Sequence, residues 1–226
     1  MMKFAYREGY LSFEAFEFAR LLIREPGRRD TFTLGEYAKL QKCLAKWIND
    51  GDRSELAQRR MIQDCILFAS HSMLRVGEYR QLRWKDVVSF DDNTDEAGRR
   101  VCLVQLNVRA ETSKTRKSRT ITTRGGEFLK RLRDRTPDWQ PDDYVFCGAS
   151  GSQKLSEKRC NDAWAELMSA MGINYKARNL TWYSLRHYAI TRLLTLGVPI
   201  WVVAEIAGTS VTYIQKHYGH GDQKVS

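Results

Sequence analysis

The sequence has no long apolar run. No stretch approaches the roughly 18–20 residues a membrane span requires, so no membrane association is expected. The first ten residues have no apolar core and carry an early acid, Glu8, so a secretory leader is not expected and the reading is cytoplasmic. Paired cysteines are missing too. Cys43, Cys65, Cys102, Cys147 and Cys160 form no CxxC pair and no Cys/His cluster at zinc spacing, so they read as buried free thiols. No carboxylate cluster suggests a magnesium site, and no metal or other cofactor is expected. Internal repeats and low-complexity segments are also absent. Acid is in short supply: 27 Asp and Glu face 37 Lys and Arg, a net charge of +10, which favours a polyanionic partner such as nucleic acid.

The patterning that is present is mostly helical. Residues 1–23 carry aromatics loosely at helical spacing, and Arg24–Asp30 is a polar linker containing Pro26 and Gly27. The division expected is therefore 1–30, an N-terminal helix and linker, and 31–226, the main domain. Thr33 with Glu36 forms a capping box that opens a helix to about Asn49. Ser54 is expected to cap a second, which keeps its period up to Leu74. Further helices are expected over Gly126–Arg135, from Ser156 to about Met171, over Tyr183–Leu196 and Ile200–Ala207, and from Ser210 to Tyr218. Gly197, Pro199 and Gly208 act as stops. One β-hairpin interrupts them. Arg100–Val108 is rich in β-formers, Thr112–Arg119 is a basic turn, and Thr120–Thr123 returns. Asp91–Gly98 reads as an acidic turn. The expected fold class is mainly α with a small antiparallel β-sheet (α+β).

The chemistry gathers toward the end of the chain. Tyr218 sits in Lys216-His217-Tyr218-Gly219-His220 among polar and basic neighbours. Val211 and Ile214 lie at helical spacing from it, so a buried structural tyrosine fits the segment as well as a nucleophile does. Arg75 and Arg186 each sit inside an apolar run. An arginine so placed is either paired to an acid or aimed at a ligand, and its planar fork suits two oxygens of a phosphate. Glu78 is the acid nearest to Arg75 and could orient it. Lys114 shares the hairpin turn with Arg116, Lys117 and Arg119. A lysine whose pKa falls beside other cations can donate a proton, while the three arginine and lysine neighbours suit phosphate contacts. The basic helix 126–135 reads the same way.

These segments, taken in order, resemble the tyrosine recombinase (phage integrase) family. Arg75-Val-Gly-Glu-Tyr-Arg-Gln-Leu-Arg-Trp-Lys-Asp-Val is similar to its first arginine motif and Ser113-Lys114-Thr115 to its hairpin lysine. Tyr183-Ser-Leu-Arg186-His187 resembles its second box, and His217-Tyr218-Gly219-His220 its nucleophile segment. The resemblance covers about 31–220. It implies a tyrosine-recombinase catalytic-domain fold and double-stranded DNA as partner. The implied reaction is site-specific recombination through a 3′-phosphotyrosyl link, needing neither ATP nor metal, and self-association on DNA as a synaptic tetramer. By position it makes Tyr218 the nucleophile, Arg75 and Arg186 the phosphate clamp and Lys114 the general acid, with Glu78 and His187 in support. Two positions depart from the family pattern. Tyr183 stands where the second box has its first histidine, and Thr209 stands at the later His or Trp. The departure at Tyr183 leaves open which group takes the proton from Tyr218. Residues 1–23 resemble the last helix of a core-binding domain without its neighbours. Two other functions share these features: a type IB topoisomerase-like DNA relaxase, and a DNA-binding remnant that regulates an intact integrase.

Overall fold

A computed structural model describes residues 30–94, 98–113, 116–148 and 150–218. The N-terminal helix expected over 1–23 lies outside them. The described elements run in order α1 (Leu34–Asn49), α2 (Leu56–Ser72), α3 (Val76–Tyr79), β1 (Val87–Thr94), β2 (Arg100–Val108), β3 (Arg119–Arg124), α4 (Gly126–Arg135), α5 (Glu157–Ala170), α6 (Trp182–Thr195), α7 (Ile200–Ala207) and α8 (Val211–Tyr218). Short 3₁₀ turns at Trp84–Asp86 and Ala110–Thr112 flank the sheet strands. The fold is mostly helical with one three-stranded antiparallel sheet in the order β1-β2-β3.

The capping box of α1 forms as its residues dictate. The Glu36 backbone N–H donates to Thr33 Oγ1 at 3.2 Å, and the Thr33 N–H donates to Glu36 Oε2 at 2.9 Å. Tyr37, Leu40, Leu44 and Ile48 then turn inward at three- and four-residue spacing. Leu34, three residues before Tyr37, is 63% exposed at the first position of the helix. Helix α2 runs through the middle of the domain, packed on α6 and on α4. Its C-terminal half is buried without a break from Asp64 to Ser70. Helix α5 buries Cys160, Ala163, Trp164, Leu167 and Met168 behind its Ser156 cap.

Several boundaries differ from expectation for local reasons. Ser54 does not cap α2. The cap position is Glu55, in a turn, with no side-chain hydrogen bond, and the helix begins one residue later. At its other end α2 stops at Ser72, because Met73 turns left-handed (φ 56°) and redirects the chain toward Arg75. The acidic stretch Asp91–Thr94 is not part of a turn. It is the end of β1, a strand whose residues are mostly exposed and therefore carry no apolar alternation to announce it. Two of the five free thiols, Cys43 and Cys147, are only half-buried.

Buried side chains fall into two clusters. The larger joins α1, α2, the sheet, α4, α5 and the first half of α6. The smaller gathers Met73, Ala189, Ile190, Val203, Ala204, Ala207 and Ile214 from the end of α2, the second half of α6, α7 and α8, with Tyr218 packed against it. That second cluster fixes the closing helix on the rest of the domain. Among the described residues no helix is long and apolar enough to cross a membrane.

Candidate active site

The left-handed turn at Met73 delivers Arg75 in extended conformation at the start of α3 (φ −71°, ψ 152°). The backbone N–H of Arg75 donates to Glu78 Oε2 at 2.9 Å, and its Nη1 donates to Glu78 Oε1 at 3.0 Å. Its Nη2 donates to the Gly208 carbonyl at 2.7 Å. Glu78 has a second cationic partner. Arg119, at the start of β3, places Nη1 on Oε1 and Nη2 on Oε2, each at 3.0 Å. Burial by itself would raise the Glu78 pKa. The Arg119 fork, the Arg75 N–H and the two guanidinium charges outweigh it and hold the carboxyl below the ordinary range.

Arg186 projects from α6, which starts where the Thr181 N–H donates to Ser184 Oγ at 3.1 Å. Its guanidinium is buried. Nη1 donates to the Met73 carbonyl and Nη2 to the Ala207 carbonyl at 2.8 Å. Nε is buried with no hydrogen-bond partner, and no carboxylate forms an ion pair with Arg186 among the described residues. Burial lowers its pKa and the neighbouring Arg75 charge adds to the effect. A buried cation whose described hydrogen-bond partners are carbonyls carries a desolvation cost that the Glu78 charge offsets in part and an anion at the site would offset further.

Both arginines therefore hang on one turn. Ala207 and Gly208 end α7, and Gly208 is left-handed (φ 61°, ψ 48°). A Cβ at Gly208 would lie 2.5 Å from the guanidinium carbon of Arg119, so a side chain here would meet a strained backbone and would push the Arg119 head aside. Thr209 follows, half-buried, its N–H donating to the Ala204 carbonyl at 3.0 Å.

Tyr218 ends α8. Ser210 caps that helix through the Tyr213 N–H at 3.1 Å, and Ile214, one turn before Tyr218, is the buried anchor on the same face. The Tyr218 hydroxyl shares a short hydrogen bond with Nδ1 of His187, the residue after Arg186. The two rings lie 5.3 Å apart, and Tyr183 meets the His187 ring edge-on at 4.9 Å. Burial raises the Tyr218 pKa well above its usual value. The Arg186 charge pulls it down, while Tyr183 and Tyr213 push it up.

The structure thus brings Arg75, Glu78, Tyr183, Arg186, His187, Thr209 and Tyr218 to one place, from α3, α6, α7 and α8. Lys114 and His220 lie outside the described residues. Arg116 and Lys117 are exposed, as phosphate-contacting residues would need to be. Arg119 is held differently from its two neighbours, with its terminal nitrogens on Glu78 and its side chain 18% exposed. Most cations of the basic helix α4 are also engaged within the fold. Arg131 and Arg135 both reach the buried Asp64, Lys130 reaches Asp92, and Arg133 lies over the Phe90 ring at 4.9 Å. Arg119 as second partner of Glu78, and His187 as direct partner of Tyr218, were not readable from spacing. In each pair the partners lie 41 and 31 residues apart in the chain. Among the described residues no three His, Cys, Asp or Glu side chains converge on a point that could hold a metal ion.

A helical domain with a three-stranded sheet, two inward arginines and a closing-helix tyrosine defines a tyrosine-recombinase type of catalytic domain. The chain belongs to the phage integrase family, whose model matches residues 38–224. Solved structures agree on the fold. The XerH site-specific recombinase bound to palindromic difH substrate in a post-cleavage complex superposes with a TM-score of 0.62 at 18% identity, covering 87% of this chain and 51% of that one. A lambda integrase (75–356) dimer bound to a COC′ core site gives 0.59 at 13%, covering 99% and 71%. The Tn1549 transposon integrase in complex with circular intermediate DNA gives 0.59 at 14%, covering 97% and 71%. This chain spans about half the length of the XerH chains it matches. No curated protein matches the sequence.

Proposed function

We propose that this chain catalyses site-specific recombination of double-stranded DNA, with Tyr218 as nucleophile and a 3′-phosphotyrosyl intermediate. The observation that carries the reading is the shared turn at Ala207–Gly208, from which Arg75 and Arg186 are both hung, with the Arg186 charge acting on the Tyr218 hydroxyl. A phosphodiester under attack gains charge on its non-bridging oxygens. Arg186 has no carboxylate partner in the described structure, and its buried Nε has a donor to spare, so a phosphate suits it. Arg75 is oriented by Glu78, which shares its charge with Arg119. Lys114 would protonate the departing 5′ oxygen, and Arg116 and Lys117 would contact flanking phosphates. Freed 5′ hydroxyl from a second strand reverses the attack, so each phosphodiester broken is replaced by another. Solved relatives are described bound to DNA, one as a dimer, which supports DNA as partner and self-association upon it; a synaptic tetramer and a cytoplasmic location complete the proposal.

The test is a covalent adduct. Nicked suicide duplexes with randomised cores are incubated with the protein and with Tyr218→Phe, and phosphotyrosyl species are resolved on denaturing gels. Adduct from the wild type and none from the variant is expected. No adduct while DNA binding persists would overturn the enzymatic reading, and relaxation of supercoils without strand exchange would favour a topoisomerase. Binding should weaken steeply with salt as counterions are released, and Arg116→Ala or Lys117→Ala should each reduce the log–log salt slope by about 1.

A further inference from the structure

Sequence comparison leaves the activation of Tyr218 open, because a tyrosine occupies the position of the expected histidine. The geometry closes the gap with a different residue. We infer that His187 is the general base that takes the proton from Tyr218 during strand cleavage, and returns it during rejoining. The inference rests on the proposed function above.

Contact comes first. His187 Nδ1 and the Tyr218 hydroxyl are already hydrogen-bonded, which is the reach a general base requires. In neutral imidazole one ring nitrogen is an acceptor, so Nδ1 accepts from the phenol when the proton sits on Nε2. Tyr183 has no comparable capacity. It is a phenol, whose hydroxyl carries no basic nitrogen to take up and hold a proton. Its ring meets the edge of His187, one helical turn away on α6, and so walls the imidazole in place.

The charges around the pair favour transfer in the transition state rather than before it. The groups facing it are Tyr183 and Arg186 from α6, Tyr213 from α8, whose ring lies 4.2 Å from that of His217, and Arg75 with Glu78 from α3 beyond Arg186. Burial keeps the free Tyr218 phenol protonated, so attack on phosphorus needs a partner that removes the proton as the bond forms. In the balanced step the Tyr218 Oη–H bond breaks and its proton goes to His187 Nδ1. The Oη–P bond forms, the P–O5′ bond breaks, and the 5′ oxygen takes a proton from the general acid. Rejoining runs the same events backwards, so protonated His187 supplies the leaving phenol.

Single-turnover cleavage of a suicide duplex over a range of pH tests this, with wild type, His187→Gln, His187→Ala and Tyr183→Phe. His187→Gln keeps a hydrogen-bond acceptor of similar reach and removes the basic nitrogen. Its cleavage should fall by roughly 10²–10⁴-fold, the usual contribution of a positioned base, with DNA affinity unchanged. Wild-type cleavage should climb with pH through the imidazole titration, and that limb should be missing in His187→Gln and retained in Tyr183→Phe. Added imidazole should restore part of the rate to His187→Ala, which a structural role would not produce. His187→Gln cleaving within threefold of wild type, or a limb that survives in it and is lost in Tyr183→Phe, would overturn the assignment while leaving the recombinase reading intact. Absence of any wild-type adduct would overturn both.

Discussion

Glu78→Ala tests whether the arginine pair is organised by one buried carboxylate. The side chain of Glu78 is 1% exposed and receives four donors: the Arg75 N–H and Nη1, and Arg119 Nη1 and Nη2. Removing it leaves two guanidinium groups facing each other, each on a side chain 18% exposed. Breaking a buried pair by deleting one partner costs ~3–5 kcal/mol, and partial rehydration of the arginine heads places this case near the lower end. For a domain of this size that is a fall in Tm of roughly 6–12 °C. The folded pKa of Glu78 is depressed, so its contribution is fully present above its ordinary value of 4.5 and is lost as pH falls through the lower folded value. Urea denaturation of wild type and Glu78→Ala at pH 7 and at pH 3 should therefore show a gap that narrows in acid. Adduct formation should also fall, because Arg75 loses the group that aims it. A loss below ~1 kcal/mol at pH 7, the range of an exposed ion pair, would refute the argument.

Gly208→Ala should lower stability by about 1–3 kcal/mol, since a left-handed alanine is strained and its Cβ would displace Arg119; a wild-type melting curve and adduct rate would contradict this. Asp64→Ala should cost roughly 2–3 kcal/mol in urea denaturation, because the carboxylate is fully buried while Arg131, 45% exposed, is partly screened. It should leave the adduct rate unchanged well below Tm. His71 is held below its ordinary 6.5 mainly by burial, so the unfolded chain binds its proton more readily. Its penalty should be absent above pH 6.5 and grow as pH falls from there to the folded value, and His71→Gln should flatten that part of the stability–pH curve.

Local chemistry was the part of the fold that could be read from the chain. The Thr33–Glu36 box, the Ser156 cap, the left-handed Gly208 stop and the inward stripes of α1, α4 and α5 all follow from residues within one or two turns of each other. Strand β1 was not legible, since its face toward solvent leaves Ser-Phe-Asp-Asp-Asn-Thr without alternation. Ser54 failed as a cap because the turn at 53–55 carries the chain past it before α2 begins. Arg119 looked like one more cation on a basic turn. Only the packing of β3 against α2 and α7 sets its fork on Glu78, and the basic look of α4 likewise concealed its acids on α2 and β1.

Helical character, the small sheet, the basic balance and the order of Arg75, Lys114, Arg186 and Tyr218 were all legible along the chain. Residue type and short-range spacing suffice for these. Tertiary structure decided which of those residues meet. Two backbone carbonyls at the end of α7 hold both arginines, Glu78 serves two cations rather than one, and the Tyr218 hydroxyl rests on His187 rather than on Tyr183. The physical reason is that each of these contacts needs partners from different elements at about 3 Å. That distance is set by how the second apolar cluster seats α6, α7 and α8, and no local pattern in the chain encodes it.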